Sequence, residues 1–134
     1  MFTAIEQNAV EIGQFAFKLT ENGSELYIGG TDTSLYTGSI EFHPIDQSQG
    51  VYALDNATVF VDGMEVGRGI ATVIDSGTSL MAATPSVSRA IYAQIPGTKR
   101  QDDGGQGLYI LPCGATATIS FSWGGKIWEV PSSQ

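Results

Sequence analysis

Residues 71–80 have the sequence ATVIDSGTSL, in which an apolar strand runs into one aspartate and then into small hydroxyl residues around a glycine. This order moves the Asp75 carboxylate out of a buried strand end onto a tight loop, where hydroxyls and backbone N–H groups can hold it. Because a carboxylate is costly to desolvate unless it is hydrogen-bonded, the pattern indicates a group placed for chemistry. The alternative is an ordinary Asp-Gly-type turn between strands. That turn would explain Asp-x-Gly alone, but it explains the longer string less well.

The composition predicts one β-rich domain. A chain of 134 residues can bury roughly two-thirds of its unfolded surface. Its hydrophobic fraction of 42% supports a core, and its 17 glycines indicate many turns. Charged residues make up only 15%, against about 25% in typical soluble domains. Low charge with abundant serine, threonine and glycine favours a secreted protein.

Short alternating or apolar runs, separated by turn residues, predict the strands. They are residues 15–19, 25–28, 39–42, 51–54, 57–61, 64–66, 71–74, 108–111, 117–122 and 126–130. Asp62-Gly63 between two such runs is the strongest short-range signal for a β-hairpin. Gly124-Gly125 predicts a second hairpin turn, and residues 101–106 predict a polar loop.

One or two short helices are predicted. Residues 2–10 have apolar residues at helix-like spacing over a short span. In the second helix Thr84 can cap the N-terminus and Pro85 fits the first helical position. The apolar stripe of this helix consists of Val87, Ile91 and Ile95, and Pro96-Gly97 ends it. The predicted fold is all-β with one or two short helices.

The charge pattern argues against two classes of partner. Six basic and fourteen acidic side chains give a net charge of −8, and the sequence has no Lys/Arg cluster. We therefore expect neither a nucleic-acid partner nor an anionic membrane surface. No stretch approaches the ~20 apolar residues of a membrane span, and the Met1 end lacks the pattern of a signal peptide.

Single residues limit the chemistry further. His43 is the only histidine, so neither a Ser-His-Asp relay nor a multi-histidine metal site can be assembled convincingly, and we expect it at a strand end beside Pro44. Cys113 is the only cysteine, which excludes a cysteine metal site and an internal disulfide. It is either a small buried hydrophobe or the partner of a cysteine elsewhere. We expect no metal and no cofactor. Asn22 and Asn56 begin glycosylation sequons on predicted loops or strand edges, which supports secretion weakly.

Taken together, these segments resemble the pepsin family of aspartic peptidases, and specifically its fungal secreted members. Residues 73–80, VIDSGTSL, look like the second catalytic motif of that family, commonly apolar-Asp-(Thr/Ser)-Gly-(Thr/Ser)-(Ser/Thr). Residues 15–19 resemble the strand that opens the second half of such enzymes. Residues 23–32, GSELYIGGTD, resemble their glycine-rich strand and turn, and residues 36–40 the strand that follows. The resemblance covers nearly the whole chain. It implies that residues 1–134 form part of the C-terminal lobe of a pepsin-like acid protease, a single and incomplete lobe.

The resemblance implies a role for each residue of the loop. Peptide hydrolysis without a metal ion or a covalent nucleophile needs one carboxylate to activate water and one carboxylic acid to polarise the carbonyl. Two adjacent carboxyls cannot both ionise readily and so share a proton, and the dyad of this family is itself the standard case of that effect. Asp75 is implied to be one member. Ser76 would brace the two catalytic loops, Gly77 would allow close backbone approach, and Thr78 would donate to the outer carboxylate oxygen. Ser79 and Leu80 are candidate walls of the substrate pocket.

The other residues that the family motif requires are not found in this sequence. A second Asp-Thr-Gly and a flap tyrosine come from an N-terminal lobe in such enzymes, and Cys113 matches a cysteine that usually pairs within a closing segment. Asp32, in Gly-Gly-Thr-Asp-Thr-Ser, is interpreted as a turn residue that bonds its own backbone. The chain is therefore expected to be an internal piece of a secreted or vacuolar peptidase, or a gene product reduced to that piece. We expect it to be inactive alone and its substrate to be a polypeptide.

Three hypotheses remain open from the sequence. The first is a segment of an acid-acting aspartic endopeptidase whose partner aspartate lies on a missing N-terminal lobe. The second is a non-catalytic β-module that binds peptides or another lobe through exposed apolar surface. The third is a homodimer in which two copies of Asp75 form the dyad, as in retroviral peptidases.

Overall fold

The computed structural model describes residues 6–45, 50–103 and 106–130, with the backbone alone for residues 102, 103 and 106. Contacts between residues divide the chain into two compact units, Met1–Ile40 and Glu41–Gln134. Of the helix predicted over residues 2–10, residues 2–5 lie outside the described residues. Within the described part no helix is long and apolar enough to cross a membrane.

The first unit contains one antiparallel hairpin. Strand β1 (Phe15–Lys18) pairs with β2 (Glu25–Ile28), and Lys18 lies opposite Glu25 at the loop end. After β2, Asp32 caps the 3₁₀ turn Thr33–Leu35, and its Oδ1 accepts a hydrogen bond of 2.8 Å from the backbone N–H of Ser34. The interpretation of Asp32 as a turn residue that bonds its own backbone is therefore confirmed.

The second unit contains six strands and one helix among its described residues. They are β3 (Ala53–Val61), β4 (Met64–Val73), helix α1 (Pro85–Ala93), β5 (Lys99–Asp103), β6 (Gln106–Ile110), β7 (Ile119–Ser122) and β8 (Trp128–Val130). Four of the strands form one antiparallel sheet in the order β4-β3-β7-β8, and β5 pairs with β6. The prediction of an all-β fold with one or two short helices is confirmed.

The hairpin predicted at Asp62-Gly63 joins β3 to β4. Val61 pairs with Met64, so the loop has two residues, and both have positive φ, 50° and 76°. A two-residue loop with positive φ at both positions is a type I′ turn, whose twist matches that of the flanking strands. The Asp62 carboxylate fixes the turn further, because its Oδ1 accepts from the backbone N–H of Thr118 at 2.8 Å.

Strands β3 and β4 are each longer than predicted. The polar pair Asp55-Asn56 separates two predicted strands, yet β3 runs through it with a shift of register between Leu54 and Ala57. Asn56 has a φ of 63°, and a bulge of this kind takes up an extra residue without ending the ladder. Likewise, the strands predicted at residues 64–66 and 71–74 belong to one strand, β4, which continues past a glycine with positive φ, Gly69.

Helix α1 packs its apolar stripe against the sheet. Its N-cap is Thr84 and its first residue is Pro85, as predicted. Val59 and Val61 of β3, each 1% exposed, form the core with Ile91 and Ile95. Val87 packs against this core from the same face of the helix, so the predicted stripe is confirmed. Ile95 lies just beyond the C-cap Gln94 but is still buried.

Two local predictions are wrong. Residues 39–42 form no strand, and the side chain of Glu41 instead accepts a hydrogen bond from the backbone N–H of Lys126 at 2.9 Å. The loop predicted over residues 101–106 includes parts of β5 and β6, which pair from Lys99 and Ile110 onward. The polar sequence at this end of the two strands has no apolar alternation that would predict a strand. Tyr109 of β6 in this hairpin stacks on Tyr92 of α1, with ring centroids 4.1 Å apart.

Candidate active site

Asp75 lies on the loop that follows β4. The strand ends at Val73, and the next residue, Ile74, donates its backbone N–H to the carbonyl oxygen of Tyr52 at 3.0 Å. This bond fixes the start of the loop beside the chain that enters β3. The carboxylate of Asp75 comes immediately after it and is exposed.

Both carboxylate oxygens of Asp75 accept hydrogen bonds from the loop itself. The backbone N–H of Gly77 donates to Oδ1 at 2.8 Å, and the hydroxyl of Thr78 donates to Oδ2. These donors stabilise the charged form and lower the pKa of Asp75, the Thr78 hydroxyl having the larger effect. A Cβ at position 77 would lie 3.2 Å from Oδ1, which is why a glycine suits this close approach.

The other predicted site residues lie on the same exposed loop. Ser76 follows Asp75 directly, and its hydroxyl has no hydrogen-bond partner among the residues that the structure describes. Ser79 is exposed as well, and Leu80 exposes 72% of its surface. The loop thus brings Asp75, Gly77 and Thr78 into direct contact, whereas Ser76, Ser79 and Leu80 face solvent.

Exposed large apolar residues lie on both sides of Asp75 in the sequence. They are Val73 at 55%, Ile74 at 54%, Leu80 at 72% and Met81 at 65%. We call these four residues the apolar rim. The prediction that Asp75 emerges from a buried strand end is therefore wrong in one respect, because Val73 at the end of β4 and Ile74 after it are each more than half exposed.

Two concavities lie elsewhere in the second unit. One, of about 330 Å³, lies beside the β3–β4 turn and is lined by residues that include Asp62, Thr118 and Glu129. The other, of about 380 Å³, is lined by residues that include His43, Asn56 and Trp123. The Asp75 loop lines neither of them, so neither concavity belongs to the candidate active site.

A polar cluster around Glu41 and His43 has no counterpart in the sequence prediction. His43 lies at no strand end, contrary to expectation. Its Nε2 is 2.7 Å from Oε1 of Glu41, at ion-pair distance but without hydrogen-bond geometry, and both atoms are buried. Trp123 flanks the imidazole with ring centroids 6.1 Å apart. Since Glu41 bonds the backbone of a residue 85 positions away, no local signal could have revealed this cluster.

The remaining predicted positions are distributed over both units. Cys113 is exposed and carries a free thiol, so its interpretation as a buried hydrophobe is wrong. Asn22 lies in the turn between β1 and β2, as expected, whereas Asn56 lies within β3 and not on a loop. In the described part of the chain, no three His, Cys, Asp or Glu side chains cluster as metal ligands would.

Comparisons with known proteins agree with the resemblance seen in the sequence. A sequence profile of the eukaryotic aspartyl proteases matches residues 1–134. An aspartic protease of Phaffia rhodozyma is 33% identical over 98% of this chain and 34% of its own length. Aspartic protease pepA of Leptosphaeria maculans is 34% identical over 87% of this chain and 29% of its own length. Cathepsin D of Clupea harengus is 32% identical over 97% of this chain and 34% of its own length.

The chain spans about a third of the length of these relatives. The match nevertheless extends over every element described above, from β1 to β8, and includes the loop that carries Asp75. The chain therefore belongs to the eukaryotic aspartyl protease family.

Proposed function

We propose that residues 1–134 form part of the C-terminal lobe of a pepsin-type aspartic endopeptidase, and that Asp75 is one of the two carboxyls that activate water for peptide hydrolysis. The second carboxyl would come from an N-terminal lobe. The observation that carries this proposal is the Asp75 loop, because it holds an exposed carboxylate through Gly77 and Thr78 in a chain of this family.

The hydrogen bonds within the loop support a role for Asp75 as the base. Gly77 and Thr78 donate to its two oxygens and lower its pKa, so the ionised form is favoured. A carboxylate in this state can take a proton from water as the water attacks the peptide carbonyl. The partner carboxyl would then hold the shared proton and polarise the carbonyl oxygen. One carboxyl cannot serve as acid and base in the same step, so we expect the chain alone to be inactive.

The neighbours of Asp75 would act on the partner lobe and the substrate. The Ser76 hydroxyl has no partner within the described chain and would bond the opposite catalytic loop, bracing the dyad. Ser79 and Leu80 are exposed beside the carboxylate and would line the pocket for a substrate side chain. The polypeptide substrate would lie between the two lobes and across the Asp75 loop.

The apolar rim supports the existence of a covering lobe. Four large apolar side chains that flank the polar loop in sequence are more than half exposed, and exposed apolar surface of this kind favours an interaction. The exposed thiol of Cys113 would pair with a cysteine of the same longer protein. Such a disulfide, and the low content of charged residues, fit a secreted or vacuolar location.

The same rim supports a second candidate function. An exposed apolar patch could also pair with a second copy of the chain, which would bring two Asp75 loops together, or hold a peptide without cleaving it. In the first case the chain alone would hydrolyse protein with a rate that rises with the square of its concentration. In the second it would bind peptides, and Asp75→Asn would leave that binding intact.

A segment exchange tests the proposal. In the Phaffia rhodozyma protease, the stretch that aligns with this chain is replaced by residues 1–134. Degradation of an unfolded protein is then measured at about pH 3 to 5, where a carboxyl dyad can hold one proton. We expect the chimera to be active and the isolated chain to be inactive at every concentration. Hydrolysis by the isolated chain would contradict the proposal and support the homodimer.

A further inference from the structure

We propose that Asn22, and not Asn56, is the N-glycan acceptor of this chain when the protein is made in the secretory pathway. The proposal rests on the extracellular or vacuolar location proposed above. Both asparagines begin a tripeptide of the required pattern, Asn22-Gly23-Ser24 and Asn56-Ala57-Thr58. The sequence alone therefore does not favour one asparagine over the other as the acceptor. The two differ in where the fold places them.

The Asn22 tripeptide lies in the connection between β1 and β2, where all six residues from position 19 to 24 are exposed. A Cβ added to Gly23 would meet no atom within 4 Å, so the space around the tip of the loop is open. The side-chain amide of Asn22 makes no hydrogen bond to any residue that the structure describes. A branched sugar on this amide would extend into solvent and displace no neighbouring side chain.

The pairing of β1 with β2 does not depend on the conformation of the loop between them. Lys18 and Glu25 pair across its base, with Nζ and Oε1 3.1 Å apart. Inside the loop, the Ser24 hydroxyl accepts from the backbone N–H of Thr20 at 3.0 Å and donates to its carbonyl oxygen at 2.7 Å. These bonds are exposed and local, so the loop can open and present both Asn22 and Ser24 to a transferase while β1 and β2 stay paired.

Asn56 is itself exposed, but the two residues that follow it in the tripeptide are held in the sheet. Asn56 lies at the bulge of β3 and lines the concavity of about 380 Å³ beside Trp123. The next residue, Ala57, is fully buried, and Thr58 pairs with Ser122 of β7. To present this tripeptide, the chain would have to expose a core residue and break β3 away from its neighbour.

The modification is a glycosyl transfer in which one bond forms and one bond breaks. A transferase of the secretory pathway joins Nδ2 of Asn22 to the anomeric carbon of an oligosaccharide carried on a lipid pyrophosphate. The bond between that carbon and the phosphate oxygen breaks, and the lipid pyrophosphate leaves. The amide loses one proton, and nothing is oxidised or reduced.

The test is expression of all 134 residues behind a yeast secretion leader, with a C-terminal tag that carries its own sequon. The tag glycan shows that each molecule has reached the transferase. After removal of glycans by an amidase that leaves aspartate at the acceptor, peptide mass mapping identifies which asparagine was modified. We expect one glycan within residues 1–134, on Asn22.

Three variants make the result decisive. Asn22→Gln and Ser24→Ala should each remove the glycan, although the second keeps the asparagine, and Asn56→Gln should leave it in place. The proposal is overturned by a glycan on Asn56, by glycans on both asparagines, or by an unmodified chain whose tag is glycosylated. Because the readout is mass, none of these results depends on proteolytic activity, and loss of the endopeptidase proposal would not change them.

Discussion

The backbone N–H of Gly77 lies 2.8 Å from Oδ1 of Asp75 and donates to it from two residues further along the same loop. The Thr78 hydroxyl donates to the other oxygen of the same carboxylate. The position and charge of Asp75 are thus set within four consecutive residues. These two donors orient the carboxylate from within its own loop.

Replacement of the Thr78 hydroxyl tests this local control. In Thr78→Val the larger of the two stabilising donors is lost, so the pKa of Asp75 should rise toward the usual aspartate value of about 3.9. The titration of the Asp75 carboxyl carbon, followed by NMR, measures the shift. Ser79→Ala removes a hydroxyl from the same loop without touching the carboxylate and should leave the pKa as it is. An unchanged pKa in Thr78→Val would contradict the assignment.

The same bond links folding stability to pH. A carboxyl whose pKa is lowered by folding stabilises the native state above its unfolded pKa, and this contribution is lost as the pH falls through the folded pKa. The stability that separates the wild type from Thr78→Val should therefore shrink as the pH is lowered from about 5 through 4 and below. Urea unfolding of both proteins across this range measures the difference, which would be constant with pH if the bond did not favour the charged form.

Gly125 should tolerate no side chain because the Glu41 carboxylate occupies the space that its Cβ would need. Glu41 cannot simply move, since its Oε2 accepts from the backbone N–H of Lys126 and its Oε1 contacts buried His43. We expect Gly125→Ala to lower the free energy of unfolding by about 1–3 kcal/mol. The control is Gly114→Ala, where a Cβ meets nothing within 4 Å.

A double-mutant cycle shows whether this clash is the cause. If it is, Gly125→Ala should destabilise the Glu41→Ala protein less than it destabilises the wild type, because the conflicting carboxylate has gone. Urea denaturation of the four proteins provides the coupling energy. Strictly additive losses would mean that Gly125 is needed for its backbone conformation and not for the space beside Glu41.

Val59 should contribute far more to stability than Val73, although both are strand valines. Val59 is 1% exposed and packs in the core with Val61 and Ile91, whereas Val73 is 55% exposed on the apolar rim. We expect Val59→Ala to cost about 2–3 kcal/mol and Val73→Ala less than about 1 kcal/mol. Thermal and urea unfolding of the two variants provide the comparison. Equal losses would show that the rim is covered in the isolated chain.

Sequence patterns predicted the local features of the fold well. Asp62-Gly63 has the chemistry of a type I′ turn, and Thr84-Pro85 caps and starts a helix, so both features follow from a few adjacent residues. Asp75 could likewise be placed on a loop, because an apolar strand before it and small polar residues after it leave few alternatives. The bulge at Asn56 was missed because polar residues inside a strand resemble a break.

Features that depend on distant residues could not be predicted. The contact between Glu41 and the backbone of Lys126 is invisible to any local pattern, and it replaces the strand expected at residues 39–42. The exposure of Val73 and Ile74 was also missed, because an apolar run indicates burial without showing whether the covering surface belongs to the same chain.

The most direct test of the central proposal is the rate of protein hydrolysis by the segment-exchange chimera with Asp75→Asn, compared with Asp32→Asn. An amide in place of the Asp75 carboxylate would keep the size of the side chain but could not take a proton from water. We predict that the Asp75→Asn chimera loses at least about a thousandfold in rate, while Asp32→Asn, which alters only a turn, keeps the parent rate. A folded Asp75→Asn chimera that hydrolyses protein as fast as its parent would contradict the account.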